Sequence, residues 1–396
     1  MTQTNPREEK GKEITSQNNL VRINDSLYHV KSQTTQKNYN VVRIGDKFVC
    51  DCADHTFRKV CCKHIHAVEF SIKIREEVKE KTKLVINPVN VNSCIYCLGS
   101  NIAKDGLRHN KYGDIQKFQC KDCKKYFTIN IGFEKMKHNP QGITVAMQLY
   151  FSGESLRNVA KSLKLIGMDI THQTVYNWIK KYTELLGKYI EGITPQVSDT
   201  WRSDELFLKF SGNIKYMYAL LDDETRYLIA QQVANTKFKE DIRQLFRDGK
   251  KVAGKKPKVL ITDGARNFHQ AYMAEYWTRP IEERTVHISH IHFKGDMNNN
   301  KMERLNGEIR DREKTMRGLK KMDTPILKGY EIFHNYIRTH EGLNGKTPSE
   351  ACGIEINGDN KWITLIQNAS RGFINAVSLT AIHISHYFCS YSNGVS

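Results

Sequence analysis

Hydrophobic and polar positions repeat with two different periods along this chain, and the change of period divides it into structural regions. Between residues 144 and 190, apolar residues recur every three to four positions, which predicts three amphipathic helices. From Val197 onward the period becomes two, which predicts consecutive strands over residues 201–210, 214–221 and 227–233. A helical region is therefore expected to precede a sheet.

After the third strand, helices and strands alternate. The pattern predicts a helix over residues 239–248, a buried strand over 258–263 and a helix over 267–276. A strand over 284–291 and a long helix over 298–321 follow. The resulting order, βββαβαβα, is that of an α/β ribonuclease-H-like domain with a mixed sheet.

The last of these helices separates an apolar face from a basic one. At roughly 100° per residue, one side gathers the hydrophobic residues Met302, Leu305, Ile309 and Met316. A second stripe consists of Glu303, Arg310, Lys314 and Arg317. One carboxylate among cations suits a site where a metal ion and a phosphate backbone meet. The alternative is a solvated helix face with ordinary surface ion pairs.

Three carboxylates are expected to come together in this topology. Asp204 lies in the first strand, Asp263 at the end of the fourth, and Glu303 near the start of the last helix. Carboxylates in such positions can hold two divalent ions about 4 Å apart, and oxygen ligands favour Mg²⁺ or Mn²⁺ over zinc. A lone Asp at a strand end is usually a cap or turn residue, so the prediction depends on all three occurring in this order.

The helical region has the pattern of a helix-turn-helix. Its middle segment repeats apolar residues at helical spacing, and Gly167 interrupts the pattern before Thr171 begins the last helix. The apolar face of that helix consists of Val175, Trp178, Ile179 and Tyr182. Its opposite face carries the residues predicted to contact DNA, which are Gln173, Thr174, Asn177 and Lys180. Helical pairs with a structural role are the alternative.

A first cluster of cysteine and histidine predicts a structural zinc site. A CxC pair, nine further residues and a CxH pair resemble the SWIM zinc finger. The predicted ligands are Cys50, Cys52, Cys62 and His64, because thiolate and imidazole are the ligands that zinc prefers. Cys61 and His66 are alternative ligands, and a group of free cysteines is the competing interpretation.

A second cluster has the spacing of a zinc ribbon. Two CxxC pairs, separated by 22 residues rich in Gly, Asn, Lys and Arg, supply Cys94, Cys97, Cys120 and Cys123. Each pair would offer two thiolates from a tight turn, with a hairpin between the pairs. The lysines around the second pair suit DNA phosphates, although they could simply be solvated.

Composition narrows the choice of partner. The net charge is +18, the pI is about 9.3, and the basic excess runs through the whole chain. This favours nucleic acid over a membrane surface. No apolar run is long enough to cross a bilayer, and no signal sequence is present. We therefore expect an intracellular, cytoplasmic protein whose ten cysteines bind metal rather than form disulfides.

These patterns predict six consecutive regions. They are a disordered tail (1–20), a SWIM-like zinc finger with a linker helix (21–83), a zinc ribbon (84–135), a helix-turn-helix region (136–195), the ribonuclease-H-like domain (196–355) and a C-terminal extension (356–396).

From about Cys94 to Gly353, the chain resembles the DDE transposases of bacterial and archaeal insertion sequences. The matching motifs are Trp201 before Asp204-Glu205, Thr262-Asp263, the segment NNKME ending at Glu303, and LNGKTPSE at 343–350. The resemblance implies that Asp204, Asp263 and Glu303 are a catalytic triad binding two Mg²⁺ or Mn²⁺ ions. It also implies a homo-oligomer that cuts transposon ends and joins them to target DNA. The SWIM-like module is an addition to the smallest family members, and the tail after Arg371 matches no pattern we recognise.

Two other functions fit parts of the pattern. The chain could be a DNA-binding regulator derived from a transposase, but the intact set of three carboxylates argues against an idle catalytic fold. It could instead be a ribonuclease-H-like nuclease or resolvase. The helix-turn-helix and two zinc modules argue against that function, because they suit a protein that finds particular DNA ends.

Overall fold

The computed structural model describes residues 5–371 except 18, 24–25, 36, 82, 90–91, 111–112, 129, 282, 290–299 and 317–324. The chain forms two compact units. The first comprises the described residues of Met1–Leu84, Thr194–Met322 and Thr339–Ile354, and the second comprises those of Val85–Ile193, Asp323–Arg338 and Glu355–Ser396. The tail after Arg371 lies outside the described residues. None of the described helices is long and apolar enough to cross a membrane.

The N-terminal part of the first unit is a four-stranded antiparallel sheet with three helices. Its elements are α1 (Pro6–Ser16), β1 (Leu20–Arg22), β2 (Leu27–Lys31), β3 (Asn38–Ile44), β4 (Lys47–Cys50), α2 (Ala53–Arg58) and α3 (Lys63–Lys81). The predicted disorder of residues 1–20 is wrong for α1, which has Pro6 in its first turn after an Asn5 cap. It buries Ile14, and Thr15 donates a 3.0 Å hydrogen bond to the Ala67 carbonyl in α3.

The chain continues through a small sheet into three helices. The elements are β5 (Leu84–Ile86), β6 (Ile102–Asn110), β7 (Gly113–Cys120), β8 (Tyr126–Thr128), α4 (Pro140–Ser152), α5 (Leu156–Leu165) and α6 (His172–Ile190). Strands β6, β7 and β8 form an antiparallel sheet. Asn139, Ser155 and Thr171 cap the three helices through their side chains. The three helices predicted between residues 144 and 190 are confirmed.

A five-stranded mixed sheet is the centre of the first unit. The sheet and the helices that alternate with its strands are β9 (Thr200–Phe210), β10 (Asn213–Asp222), β11 (Leu228–Ala234), α7 (Lys239–Ala253), β12 (Val259–Thr262), α8 (Arg266–Glu275), β13 (Val286–Ser289) and α9 (Asn300–Met316). The strand order is β11-β10-β9-β12-β13. The first three strands pair antiparallel, and β12 is parallel to both β9 and β13. The predicted order βββαβαβα is therefore confirmed for the described elements.

Each face of this sheet is covered by different elements. Trp201 of β9 contacts Tyr276 after α8 with its ring centroid 6.2 Å away, so the odd-numbered side chains of β9 face α7 and α8. Side chains alternate along a strand, so Asp204, Leu206 and Leu208 face the opposite way, toward α9. The predicted apolar face of α9 is confirmed for the side chains that the structure describes, since Met302, Leu305 and Ile309 are buried.

The N-terminal sheet packs on the central sheet within this first unit. Ile23, Val259 and Ile261 form one buried cluster, with Val21 and Ile288 packed against it. The Thr200 hydroxyl donates a 3.1 Å hydrogen bond to the Arg22 carbonyl, and Arg22 forms an ion pair with Glu224. The N-terminal sheet therefore shares a hydrophobic core with the central sheet.

The remaining elements are α10 (Pro325–Ile332), α11 (Pro348–Ala351) and β14 (Ile354–Ile356), and β14 pairs with β5. A π-helical turn, Phe333–Ile337, follows α10, and residues 361–371 are helical. In the second unit the ring of Phe151 in α4 stacks on Phe333 and Trp362 at 6.1 and 5.9 Å. The compact units thus divide the chain at other points than the predicted domains, because α10 packs with α6 and the π-helical turn packs with α4.

Candidate active site

Asp204 lies near the middle of β9, on the face that α9 covers. One carboxylate oxygen accepts a 2.8 Å hydrogen bond from the Glu205 backbone N–H, and the other accepts a 2.9 Å bond from the Asn306 side-chain amide in α9. These two donors fix the carboxyl group in one orientation. Asn306 was not identified from the sequence, although it lies three residues after Glu303 and hence on the same side of the helix.

Asp263 follows β12 directly and lies at the level of Asp204 on the neighbouring strand. Val259 and Ile261 pair with Thr200 and Arg202. Extending this parallel register by two residues places Asp263 beside Asp204, with both side chains on the same face. The Asp263 carboxylate accepts a 2.9 Å hydrogen bond from the backbone N–H of Ala265, within a turn where Gly264 has φ +84°. The structure therefore brings these two predicted residues together.

The proximity of the two carboxyl groups changes the acidity of Asp204. The pKa of Asp204 is raised to about 6: burial is the largest cause, the negative charges of Asp263 and Glu205 also raise it, and the hydrogen bonds from Glu205 and Asn306 oppose the increase. The protein thus keeps a carboxylate where its ionised form is disfavoured. A divalent cation bound by oxygen ligands would relieve this repulsion, so the donor set fits Mg²⁺ or Mn²⁺.

Glu303 lies exposed in the first turn of α9, one turn before Asn306. Among the described residues, the sets of three or more ligand atoms within 4.8 Å of one another are cysteine- and histidine-containing clusters, and the three carboxylates are not among them. The structure therefore places Glu303 on the helix that contacts Asp204, without bringing all three carboxylates to metal-binding distance.

The basic stripe of α9 is partly described. Arg310 and Lys314 are exposed, and Lys314 pairs with Asp311 at 3.1 Å, whereas Arg317 lies outside the described residues. Glu313 points away from this stripe and accepts a 2.5 Å hydrogen bond from the backbone N–H of Lys209 in β9. The exposed cations leave this side of the helix suited to a phosphate backbone.

A buried ion network, which no sequence pattern indicated, anchors the start of α9. Asp223, which follows β10, is fully buried and forms an ion pair with Arg202, which is 1% exposed. Lys301 donates to the Asp223 carbonyl at 2.7 Å and to its carboxylate at 3.1 Å. Burial opposes ionisation, yet the charges of Lys301 and Arg202 lower the pKa of Asp223. Lys301 lies two residues before Glu303, so the network helps to set the position of that turn.

Helix α6, which the sequence predicts to be the DNA-recognition helix, has the expected buried apolar face and exposed polar face. Val175, Trp178 and Ile179 are buried in α6, whereas Gln173, Asn177 and Lys180 are exposed and Thr174 is partly exposed. The Gln173 side chain donates a 3.1 Å hydrogen bond to Asn177. These polar groups lie together on an exposed surface of the helix.

Both predicted cysteine clusters assemble. Cys50, Cys52, Cys62 and His64 offer ligand atoms within 4.8 Å of one another, and so do Cys94, Cys97, Cys120 and Cys123. The cysteines of both sets are free rather than disulfide-bonded. In the second set, the sulfur atoms of Cys94 and Cys123 lie 3.6 Å apart, which is close to the separation of two thiolates on one tetrahedral zinc ion.

The region of the central sheet is similar to known proteins. Residues 198–340 match a family model described as a DDE domain. Over 137 residues the chain is 28% identical to a transposase for insertion sequence-like element IS431mec from Staphylococcus aureus, covering 34% of this chain and 59% of the relative. An uncharacterized 48.3 kDa protein of insertion element ISM1 from Methanobrevibacter smithii is 25% identical over 192 residues, covering 44% of this chain and 45% of the relative.

Solved structures also align with part of the chain. The catalytic core domain of HTLV-2 integrase in complex with magnesium aligns with a TM-score of 0.30 and 16% identity, over 41% of this chain and 99% of that chain. The chain spans about half the length of the curated relatives it matches. The family match covers β9 to the end of the π-helical turn and includes all three predicted catalytic carboxylates. Residues 198–340 of this chain are therefore similar to a DDE domain.

Proposed function

We propose that this chain is a DDE transposase, which binds transposon DNA ends and catalyses Mg²⁺-dependent strand cleavage and strand transfer. The observation that carries the proposal is the proximity of Asp204 in β9 to Asp263, which directly follows the adjacent parallel strand β12, beside the helix that bears Glu303. The insertion-sequence relatives support the same function.

Asp204, Asp263 and Glu303 are the residues that would hold the catalytic Mg²⁺ or Mn²⁺ ions, two in each site. Bound in pairs, such ions activate the attacking water or 3′-hydroxyl and stabilise the leaving oxygen. The protein contributes orientation, since Asn306 and the Glu205 backbone fix Asp204 and the turn at Ala265 fixes Asp263. Arg310, Lys314 and Arg317 would hold the DNA backbone along α9.

The two cysteine clusters would each hold a structural zinc ion. Four ligands of the types present complete a closed tetrahedral site, and in small modules metal binding stabilises the fold directly. We propose that the ribbon, together with α6, binds double-stranded DNA at the transposon ends. A homo-oligomer assembled on this DNA would then bring two ends to one target.

Glu303→Gln is expected to abolish strand cleavage while DNA binding remains. The amide is nearly isosteric with the acid, so packing should survive, but it loses the charge that holds a cation. The assay uses a labelled duplex carrying the terminal sequence of the element, incubated with Mg²⁺ or Mn²⁺, with a target duplex added to detect transfer. Glu308→Gln is the matched control, because Glu308 lies on α9 outside the basic stripe.

The outcomes of this assay separate the possible functions. If Glu308→Gln is inactive and Glu303→Gln cuts normally, the assignment of the third carboxylate is wrong. A wild-type chain that binds ends but never cuts them would be a regulator. A chain that cuts without joining ends to the target would be a nuclease or resolvase.

Replacement of residues on α6 is expected to separate general from specific DNA binding. Lys180→Ala should weaken binding to all duplexes alike and reduce the salt dependence, because one phosphate contact is lost. Asn177→Ala should instead reduce the preference for element ends over unrelated DNA, since amide side chains read base edges. Gel-shift titrations at several salt concentrations measure both effects. If neither variant differs from wild type, α6 is not the DNA-recognition helix.

A further inference from the structure

The segment Cys61-Cys62-Lys63-His64-Ile65-His66 contains two interleaved pairs of metal ligands. The structure separates them. Cys62 and His64 are buried, at 0% and 4% exposure, and belong to the SWIM-like cluster. Cys61 is exposed and His66 is partly exposed, and together with Glu69 they form a separate group whose three ligand atoms lie within 4.8 Å of one another.

The distances in this second group are close to those required around a tetrahedral metal ion. The Cys61 sulfur lies 3.9 Å from His66 Nδ1, and this nitrogen lies 3.3 Å from a Glu69 carboxylate oxygen. Bond lengths of about 2.0–2.3 Å to zinc imply ligand separations of roughly 3.2–3.6 Å. The Cys61–His66 separation exceeds this range by a few tenths of an ångström, the His66–Glu69 separation lies within it, and all three ligand atoms lie within 4.8 Å of one another.

Secondary structure positions all three groups. Cys61 lies two residues before α3, and His66 and Glu69 lie three residues apart near its start, so they share one face of the helix. On its other flank α1 approaches so closely that a Cβ atom on Gly11 would lie 2.7 Å from the His66 Cβ. The close packing of α1 against α3 therefore holds the backbone at His66 in place.

We propose that Cys61, His66 and Glu69 form an additional zinc site in the N-terminal module, separate from the Cys50, Cys52, Cys62 and His64 site. One thiolate, one imidazole and one carboxylate favour zinc over Mg²⁺ or Mn²⁺. Three protein ligands leave a fourth position for water. The Glu69 side chain is 48% exposed, so this site is open to solvent and exchanges its metal more readily than the buried cluster. The proposal is independent of the catalytic function.

Zinc content of the purified full-length chain tests the proposal. After equilibration in a zinc-buffered solution, the wild type is expected to hold three zinc ions, one for each cluster. Cys61→Ser and Glu69→Gln should each lower the count by one, with unchanged circular dichroism. Glu76→Gln is the matched control, because Glu76 is an exposed carboxylate on the same helix outside the group, and it should retain three. A count of two in wild type and in both variants would overturn the proposal.

Alkylation gives a second readout that needs no variant. Zinc occupies the thiolate that iodoacetamide attacks, so raising the zinc content from two to three equivalents should slow modification of Cys61 about tenfold or more. The tryptic peptide containing Cys61 reports this by mass spectrometry. Equal rates at both zinc contents would mean that His66 and Glu69 form only an ion pair beside a free thiol, and the proposal would be wrong.

Discussion

Asp204→Asn is expected to abolish metal-dependent strand cleavage and, in the same protein, to increase stability at neutral pH in magnesium-free buffer. The loss of activity should be on the order of a thousandfold or more, since a metal site supplies several kcal/mol of transition-state stabilisation. The gain in stability follows from the pKa of Asp204, which the protein raises to about 6 mainly by burial.

The sign of this effect follows from proton binding. A carboxyl group with a raised pKa binds its proton more tightly in the folded state, so its contribution to stability is fully present below about pH 4 and is lost as pH rises through about 6. Asparagine cannot ionise and avoids this loss. An Asp204 pKa raised from 3.8 to about 6 sets an upper limit of about 3 kcal/mol on the gain, and this gain is reduced because the amide replaces an oxygen that accepts a hydrogen bond.

Thermal unfolding between pH 5 and pH 8 measures the difference. The stability gap between Asp204→Asn and wild type should widen as the pH rises and should narrow when Mg²⁺ is added, because the cation stabilises only the ionised wild-type site. Asp311→Asn is the control, since Asp311 lies on α9 with a side chain that is 77% exposed, and it should match wild type in both assays. A gap that does not change with pH would mean that Asp204 is not under electrostatic strain.

Asp223→Ala is expected to destabilise the first unit by about 3–5 kcal/mol, which is the usual consequence of removing one partner from a buried ion pair. Asp223 is fully buried against Arg202, which is 1% exposed, and also binds Lys301 at the start of α9. The variant leaves the Arg202 guanidinium buried without this carboxylate. Urea unfolding measures the loss of stability.

Two further variants serve as comparisons for Asp223→Ala in this experiment. Asp311→Ala breaks the exposed pair with Lys314 and should change stability by about 1 kcal/mol or less. The double variant Arg202→Met with Asp223→Leu should be more stable than Asp223→Ala, because apolar side chains often replace a buried ion pair at little cost. If Asp223→Ala unfolds at the same urea concentration as Asp311→Ala, the network does not hold α9 in place.

Local patterns in the sequence determined much of this protein. The apolar spacing along α6 defined its buried and exposed faces, because a helix places every third or fourth residue on one side. The alternation from Val197 onward predicted the three antiparallel strands for the same kind of reason. Cysteine spacing predicted both clusters, since a zinc knuckle is built by a short turn within a few residues.

Tertiary structure decided the features that depend on distant contacts. Residues 1–20 are polar and were expected to be disordered, yet α1 forms because α3 offers a surface that buries Ile14. Asn306 lies 102 positions after Asp204, and the packing of α9 on β9 brings these two residues together. The pairing of β9 with β10 likewise brings Arg202 to Asp223. Cys61 and His66 were alternative ligands in the sequence. Packing rather than spacing separates them from Cys62 and His64, since α3 turns His64 toward the core and leaves His66 partly exposed, and just before α3 Cys62 is buried whereas Cys61 is exposed.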